Sequence, residues 1–75
     1  MQYLSMNSFR DIIAAWPSRQ ELSSDTGVKV QRVNEWFHRN SIPPTYWEDV
    51  ALSAQARQIG GITLATLARL AKRAA

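Results

Sequence analysis

The chain has 75 residues, enough for one small domain but close to the lower limit for a protein that folds around its own core. It has no cysteine, which excludes disulfides and thiolate metal sites, and its longest apolar run, 12–16, is far short of the roughly 20 residues that cross a bilayer. The net charge of +3 weakly favours a polyanionic partner, and the absence of a secretory signal pattern predicts a cytoplasmic protein.

The first predicted elements are two short helices. We expect residues 1–7 to be disordered or to form a short arm, and residues 8–75 to form a single domain. Ser8 is suited to cap a first helix, which Pro17 ends. The apolar residues of that helix recur at helical spacing: Phe9, Ile12, Ile13 and Trp16. Ser18 is suited to cap a second helix at about 19–26, and Glu21 three residues later completes a capping box.

A glycine turn joins the second helix to a third, predicted at about 29–39. Gly27 is suited to the positive φ that ends the second helix. Leu22 lies five residues before this glycine, and Val28, Val33 and Trp36 lie one, six and nine residues after it. Two helices that cross at roughly 90–120° through a tight turn need apolar residues on their facing sides. The spacing therefore predicts a helix-turn-helix.

The third helix is amphipathic, and Asn40 is suited to end it in a left-handed conformation. On a helical wheel, an apolar stripe points inward. It consists of Val33, Trp36 and Phe37, with Val30 at its edge. The opposite side consists of Gln31, Glu35, His38 and Arg39, flanked by Arg32. A polar and basic outer side of this kind is where a recognition helix meets base edges.

Two more helices are predicted after the third. Pro43 and Pro44 stiffen the exit, and a fourth helix is expected from Pro44 or Thr45. It would cover the first three helices with Tyr46, Trp47, Val50, Ala51 and Ala54. After the break at 60–61, Thr63 is suited to cap a fifth helix at about 64–73, whose stripe is Leu64, Leu67, Ala68 and Ala71 with Leu70 beside it. The fold class expected is all-α, a compact bundle of about five short helices. The segment from residue 57 onward, which includes the fifth helix, carries four basic residues and no acidic residue: Arg57, Arg69, Lys72 and Arg73.

At Leu22-Ser23, Gly27-Val28, Val33 and Trp36 the chain resembles the Cro/CI-type helix-turn-helix regulators of phages and bacteria. The segment IPPTYW at 42–47 looks like a short subgroup in which an isoleucine-proline turn leads into the fourth helix. The likeness covers roughly residues 9–70. It implies sequence-specific binding to double-stranded operator DNA, commonly as a homodimer on inverted repeats, to repress or activate transcription.

The resemblance also implies roles by position. Arg19 stands where the family usually has a glutamine that holds phosphate. First-turn contacts fall on Lys29, Val30 and Gln31, and later contacts fall on Asn34 and Glu35. Two residues depart from the family pattern: Ser23 replaces the usual alanine, and Val30 replaces a polar reader and would contact a thymine methyl. The expected base contacts are Lys29, Val30, Gln31, Arg32 and Glu35, and the expected phosphate contacts are Ser18, Arg19, Asn34, His38 and Arg39.

Each polar side chain on the outer side of the third helix has an alternative to a DNA contact. Gln31 is matched to adenine and Arg32 to guanine or a phosphate, and the alternative is that both are solvated polar side chains. Glu35 would accept a hydrogen bond from cytosine N4, disfavour wrong sites or pair with Arg39 one turn later. His38 has no second ligand at metal spacing, so a metal site is not expected.

No set of acid, base and nucleophile suggests an enzyme, and no cofactor, metal or membrane partner is expected. The competing interpretation is a protein-interaction module, antitoxin-like or adaptor-like, that uses the third or fifth helix. Dimerisation is expected through the fifth helix at Leu64, Leu67 and Leu70. The alternative is that all three leucines belong to the core.

Overall fold

Five α-helices and one 3₁₀ turn follow one another in the computed structural model, which describes residues 7–74. The helices are α1 (Phe9–Ala14), α2 (Arg19–Thr26), α3 (Val30–Arg39), α4 (Trp47–Ala56) and α5 (Leu64–Ala74), and the 3₁₀ turn is Pro44–Tyr46. No strand occurs between residues 7 and 74. The all-α prediction is confirmed. Residues 1–6 of the predicted arm lie outside the described residues.

Local capping sets the predicted helix boundaries. The side-chain oxygens of Ser8, Ser18 and Thr63 accept backbone N–H groups from the residue three positions later, at 3.2, 3.1 and 3.1 Å. These bonds satisfy donors that a helix N-terminus leaves free. Gly27 ends α2 at φ 75°, and Asn40 ends α3 at φ 54°. The glycine turn and both helices of the helix-turn-helix therefore lie where the sequence predicts them.

Three boundaries or caps differ from the prediction. α1 ends at Ala14, so Trp16 lies beyond the helix, although its side chain is still buried. Pro44 opens a 3₁₀ turn and α4 begins at Trp47, whose indole Nε1 donates to the carbonyl of Ile42 at 2.6 Å. The capping box is half formed, since the carboxylate of Glu21 pairs with Arg57.

The core draws on α1 to α5 and on the loops between them. Its buried side chains are Phe9, Ile12, Ile13, Trp16, Leu22, Val33, Trp36, Ile42, Val50, Ala54, Ile62, Leu67 and Leu70. The fifth-helix stripe predicted from the sequence is rotated, because Leu70 is buried while Ala68 and Leu64 are exposed. Fully burying a leucine is worth about 1.5–3 kcal/mol relative to leaving it in water.

The packing of the helices leaves one side of α3 uncovered. α3 packs on α1 and α2, whereas α4 packs on α2 and α5. Ser23, which replaces the usual alanine of the resembled family, donates its hydroxyl to the carbonyl of Val28 at 2.5 Å. The hydroxyl therefore joins the end of α2 to the segment that enters α3. The result is a fixed helix-turn-helix with the outer side of α3 open to solvent.

Candidate nucleic-acid interface

The two sides of α3 differ sharply in burial. Val33 is 0% and Trp36 is 2% exposed. Val30, Asn34 and Phe37 are half-buried along the edges of this inner side. The outer residues Gln31, Arg32, Glu35, His38 and Arg39 are all exposed. The wheel derived from the sequence is confirmed except at Phe37, which lies at the edge of the core.

The outer side of α3 keeps its hydrogen-bonding groups unused. Gln31, Arg32 and Glu35 have no side-chain hydrogen bond or ion pair with any residue from 7 to 74. The pairing of Glu35 with Arg39, one of the alternatives for Glu35, is not formed within that range. An amide, a guanidinium and a carboxylate therefore lie side by side with their donors and acceptors facing solvent.

Arg19 is fixed against α3 from the start of α2. Its guanidinium carbon lies 4.1 Å from the centre of the Phe37 ring, and Nη1 donates to Oδ1 of Asn34 at 3.1 Å. Such a cation over an aromatic face is held by the ring quadrupole as well as by packing. The structure thus brings together two residues predicted to contact phosphate. A guanidinium has five N–H donors, so most of them stay available to an anion.

Arg10 holds the other end of α3, a role that the sequence analysis missed. Its Nε donates to the carbonyl of Phe37 at 2.8 Å, and Nη2 donates to the carbonyl of His38 at 3.0 Å. The backbone N–H of Arg10 donates to Oδ1 of Asn40 at 3.0 Å. The two guanidinium bonds give the carbonyl of His38 a donor, add a second donor to the carbonyl of Phe37, which also accepts the N–H of Asn40, and place a cation at the negative end of the helix dipole. No local pattern signals this contact, because it joins residues 27 to 30 positions apart.

The remaining predicted phosphate contacts lie at the two ends of the helix-turn-helix, together with Lys29, which is expected at a base. Lys29 is the exposed residue that precedes α3, and His38 and Arg39 are exposed in its last turn. Ser18 uses its Oγ as an acceptor for the N–H of Glu21 and retains its own O–H to donate. Exposed cations therefore stand at both ends of the outer side of α3.

Arg57 has a different environment from the one predicted for it. The sequence places it in a basic tail free of acids, but its guanidinium bonds Glu21 at 3.0 Å and Asp25 at 2.6 and 3.0 Å. Asp25 also accepts the indole N–H of Trp16 at 2.9 Å. The hydrogen bonds from Arg57 and then from Trp16 lower the pKa of Asp25 from its ordinary value. We call Glu21, Asp25 and Arg57 the acid–arginine cluster.

Burial decides between the alternatives for the fifth-helix leucines. Leu67 is 0% and Leu70 is 3% exposed, so both belong to the core and are not available to a second molecule. Leu64 remains 50% exposed. The dimerisation set predicted from the sequence is therefore wrong at two of its three positions. Leu52 on α4, to which no sequence pattern drew a role, is 57% exposed.

Within the described part of the chain, no group of three or more His, Cys, Asp or Glu side chains is arranged to hold a metal ion. Among the same residues, no helix is long and apolar enough to cross a membrane.

Comparison with protein-family models, curated proteins and solved structures gives no match. The likeness to Cro/CI-type regulators stays a prediction from the sequence.

Proposed function

We propose that this chain is a sequence-specific regulator of transcription that binds double-stranded DNA with α3 in the major groove. The observation that carries the proposal is the outer side of α3, where Gln31, Arg32 and Glu35 are exposed and have no partner in residues 7–74. The major groove admits one α-helix and presents donors and acceptors in a different pattern for each base pair. The proposal places the protein in the cytoplasm, associated with the nucleoid.

In this proposal base contacts and phosphate contacts come from different parts of the surface. Gln31 bonds adenine, Arg32 bonds guanine or a nearby phosphate, and Glu35 accepts from cytosine N4. Half-buried Val30 meets a thymine methyl, and Lys29 reaches a base or phosphate beside it. The flanking groups Ser18, Arg19, Asn34, His38 and Arg39 hold phosphates and fix the position of α3 along the duplex.

The proposal includes a homodimer. One reading helix recognises only a few base pairs, too few to define a unique site among the competing sites of a genome. Two copies on an inverted repeat double the length of the site that is read. We expect half-sites about 10 base pairs apart from centre to centre, or a multiple of that distance.

A protein-interaction module is the second candidate function. The exposed Leu52 and Leu64 favour it, because they line the same hollow between α4 and α5 and contiguous exposed apolar surface is typical of sites that bind other proteins. They lie on α4 and α5, however, and not on α3. A helix that fills a groove of a protein partner presents apolar anchors at helical spacing, whereas the outer side of α3 is polar. The chemistry of α3 therefore favours DNA.

Selection of DNA from a random duplex pool tests the proposal. The wild-type chain should enrich one motif with inverted half-sites, whereas a Gln31→Ala/Arg32→Ala/Glu35→Ala variant should bind more weakly and enrich none. A Ser24→Ala variant, changed on an exposed residue of α2, is the control and should select the wild-type motif. Enrichment of no motif by the wild-type chain would refute sequence-specific reading.

A further inference from the structure

The basic segment that begins at residue 57 contains two kinds of cation in the folded chain. Arg57 belongs to the acid–arginine cluster, where two carboxylates face its charge. Arg69, Lys72 and Arg73 are exposed and have no side-chain hydrogen bond or ion pair within residues 7–74. One of the four basic residues is therefore used inside the fold, and the other three are available to an anion from outside.

The three available cations lie together on one side of α5. Residues three and four positions apart are neighbours on a helix surface, so Arg69 lies next to both Lys72 and Arg73. Leu67 and Leu70 of the same helix are buried, which places the cations on the side that faces away from the core. The sequence of α5 contains no acidic residue. We call Arg69, Lys72 and Arg73 the basic face of α5.

Helix stability explains only part of this arrangement. Lys72 and Arg73 lie in the last turn of α5, where the negative end of the helix dipole stabilises a cation. Arg69 lies one turn earlier, and like charges three and four positions apart on a helix repel each other. The three cations therefore destabilise one another in the free protein, and binding of an external anion would relieve that repulsion.

The basic face of α5 adjoins the C-terminal end of α3. Arg73 and Asn40 line the same hollow of about 180 Å³, together with residues at the start of α1. Asn40 directly follows the exposed Arg39 and accepts the backbone N–H of Arg10. Cations from α1, α3 and α5 therefore lie around this end of α3, and the basic face continues the charged surface of the helix-turn-helix.

We propose that the basic face of α5 binds backbone phosphates of the same DNA duplex, outside the base pairs that α3 reads. Arg69 and Arg73 are one turn apart, about 6 Å along the helix axis. Three adjacent cations match a polyanion better than one small anion, and duplex DNA carries one negative charge per roughly 1.7 Å of its axis. The inference rests on the proposed function for the identity of the polyanion, but it assigns no base contact and no residue of α3.

The salt dependence of binding to a mixed-sequence duplex tests the inference without knowledge of the operator. Arg69→Ala, Lys72→Ala and Arg73→Ala should each lower the slope of log K against log salt by about one unit, and the triple variant by about three, because each phosphate contact releases counterions. Arg57→Ala removes the same charge from the same segment and should leave the slope unchanged, since two carboxylates already face it. Circular dichroism checks helix content, and the single variants decide the result if the triple variant does not fold. Wild-type slopes in the folded variants would overturn the inference.

Ethylation of single phosphates locates the contact on a motif selected from a random duplex pool. With the wild-type chain, ethylation should interfere with binding both beside the base pairs that α3 reads and at phosphates farther out. The triple variant should lose the outer interference and keep the inner one, because only the basic face of α5 has been removed. Loss confined to the inner phosphates, or loss at none, would overturn the proposed position of the contact.

The same measurements separate this inference from the proposed function and from a lipid partner. A chain that selects no motif but has a salt slope dependent on the basic face would refute sequence-specific reading and leave phosphate binding by α5 standing. A selected motif with a slope independent of that face would overturn the inference and leave reading by α3 standing. Vesicles of anionic phosphatidylglycerol, with phosphatidylcholine as the control, test a membrane surface. Vesicle binding that the triple variant loses, together with an unchanged DNA slope, would assign the face to lipid and overturn the inference.

Discussion

Two charged regions of the molecule are both open to water but differ in what their charges contact. On the outer side of α3, Arg32 and Glu35 have no partner within residues 7–74. In the acid–arginine cluster, Arg57 bonds Glu21 and Asp25, and so joins α4 to α2. The amino-acid composition does not distinguish these two sets of charges. The structure separates charges already used inside the fold from charges available to a polyanion, and only the second kind belongs to a binding surface.

The largest effect that this comparison predicts is on DNA affinity. Gln31→Ala should cost about 1–3 kcal/mol on the best site and relax preference at one or two base pairs, because a bidentate contact to a base is lost. Stability should not change, since the side chain is exposed. Quantitative gel shifts on matched and mismatched duplexes measure the effect. Gln55→Ala on α4 is the matched control and should bind as the wild type does.

The salt dependence of binding sharpens the comparison between the two regions. Lys29→Ala and Arg39→Ala should each weaken specific and non-specific DNA alike and lower the slope of log K against log salt by about one unit. Arg57→Ala removes the same charge but should leave the slope unchanged, because that charge already faces two carboxylates. Fluorescence anisotropy at several salt concentrations gives the slopes. Equal slopes for all three variants would remove the distinction between paired and available cations.

Thermal stability should depend on the paired charges of the acid–arginine cluster more than on exposed, unpaired ones. Arg57→Ala leaves Glu21 and Asp25 without the cation that bonds them, so the midpoint of thermal unfolding should fall. Arg69→Ala removes an exposed arginine of α5 and should lower that midpoint less. Calorimetry compares the two variants. A larger fall for Arg69→Ala would mean that the acid–arginine cluster does not join α2 and α4.

The smallest predicted effect is a pH dependence confined to acid solution. The pKa of Asp25 is lowered in the folded protein, mainly by its hydrogen bonds from Arg57. A lowered pKa means that the unfolded chain binds the proton more readily than the folded one. The stabilisation is therefore present above the ordinary pKa of 3.8 and is lost as the pH falls through the lower, folded value. Asp25→Asn should flatten the stability curve in this range, whereas Asp49→Asn should follow the wild type.

Most of the fold follows from local signals in the sequence. Helix caps depend on residues three positions apart, and Gly27 and Asn40 adopt left-handed conformations because of their own chemistry. Which residues of α3 face inward and which face outward follows from helical periodicity, which is also a local property of the sequence. The candidate base-reading face was predictable to this extent, since a wheel needs no knowledge of the other helices.

The long-range contacts did not follow from the sequence. Arg10 reaches α3 over 27 residues, and Arg57 reaches Glu21 over 36, so no periodicity joins them. In α5 the wheel predicts a stripe but not its rotation against the core, and so Leu70, beside the predicted stripe, is buried while Ala68, within it, is exposed. The packing of α4 on α5 fixes that rotation. Whether a charge or a leucine is available to a partner therefore had to come from tertiary structure.

The structure around Asn40 limits which residues can replace it during evolution. Its backbone has φ 54°, and its Oδ1 accepts the N–H of Arg10 at the same time. Glycine would fit the backbone but would lose the acceptor, and a larger side chain would meet the steric cost of the left-handed region. Aspartate would keep the acceptor but would place a negative charge at the negative end of the helix dipole. Lineages that keep this joint between α1 and α3 should retain asparagine there even where the exposed residues of α3 have changed.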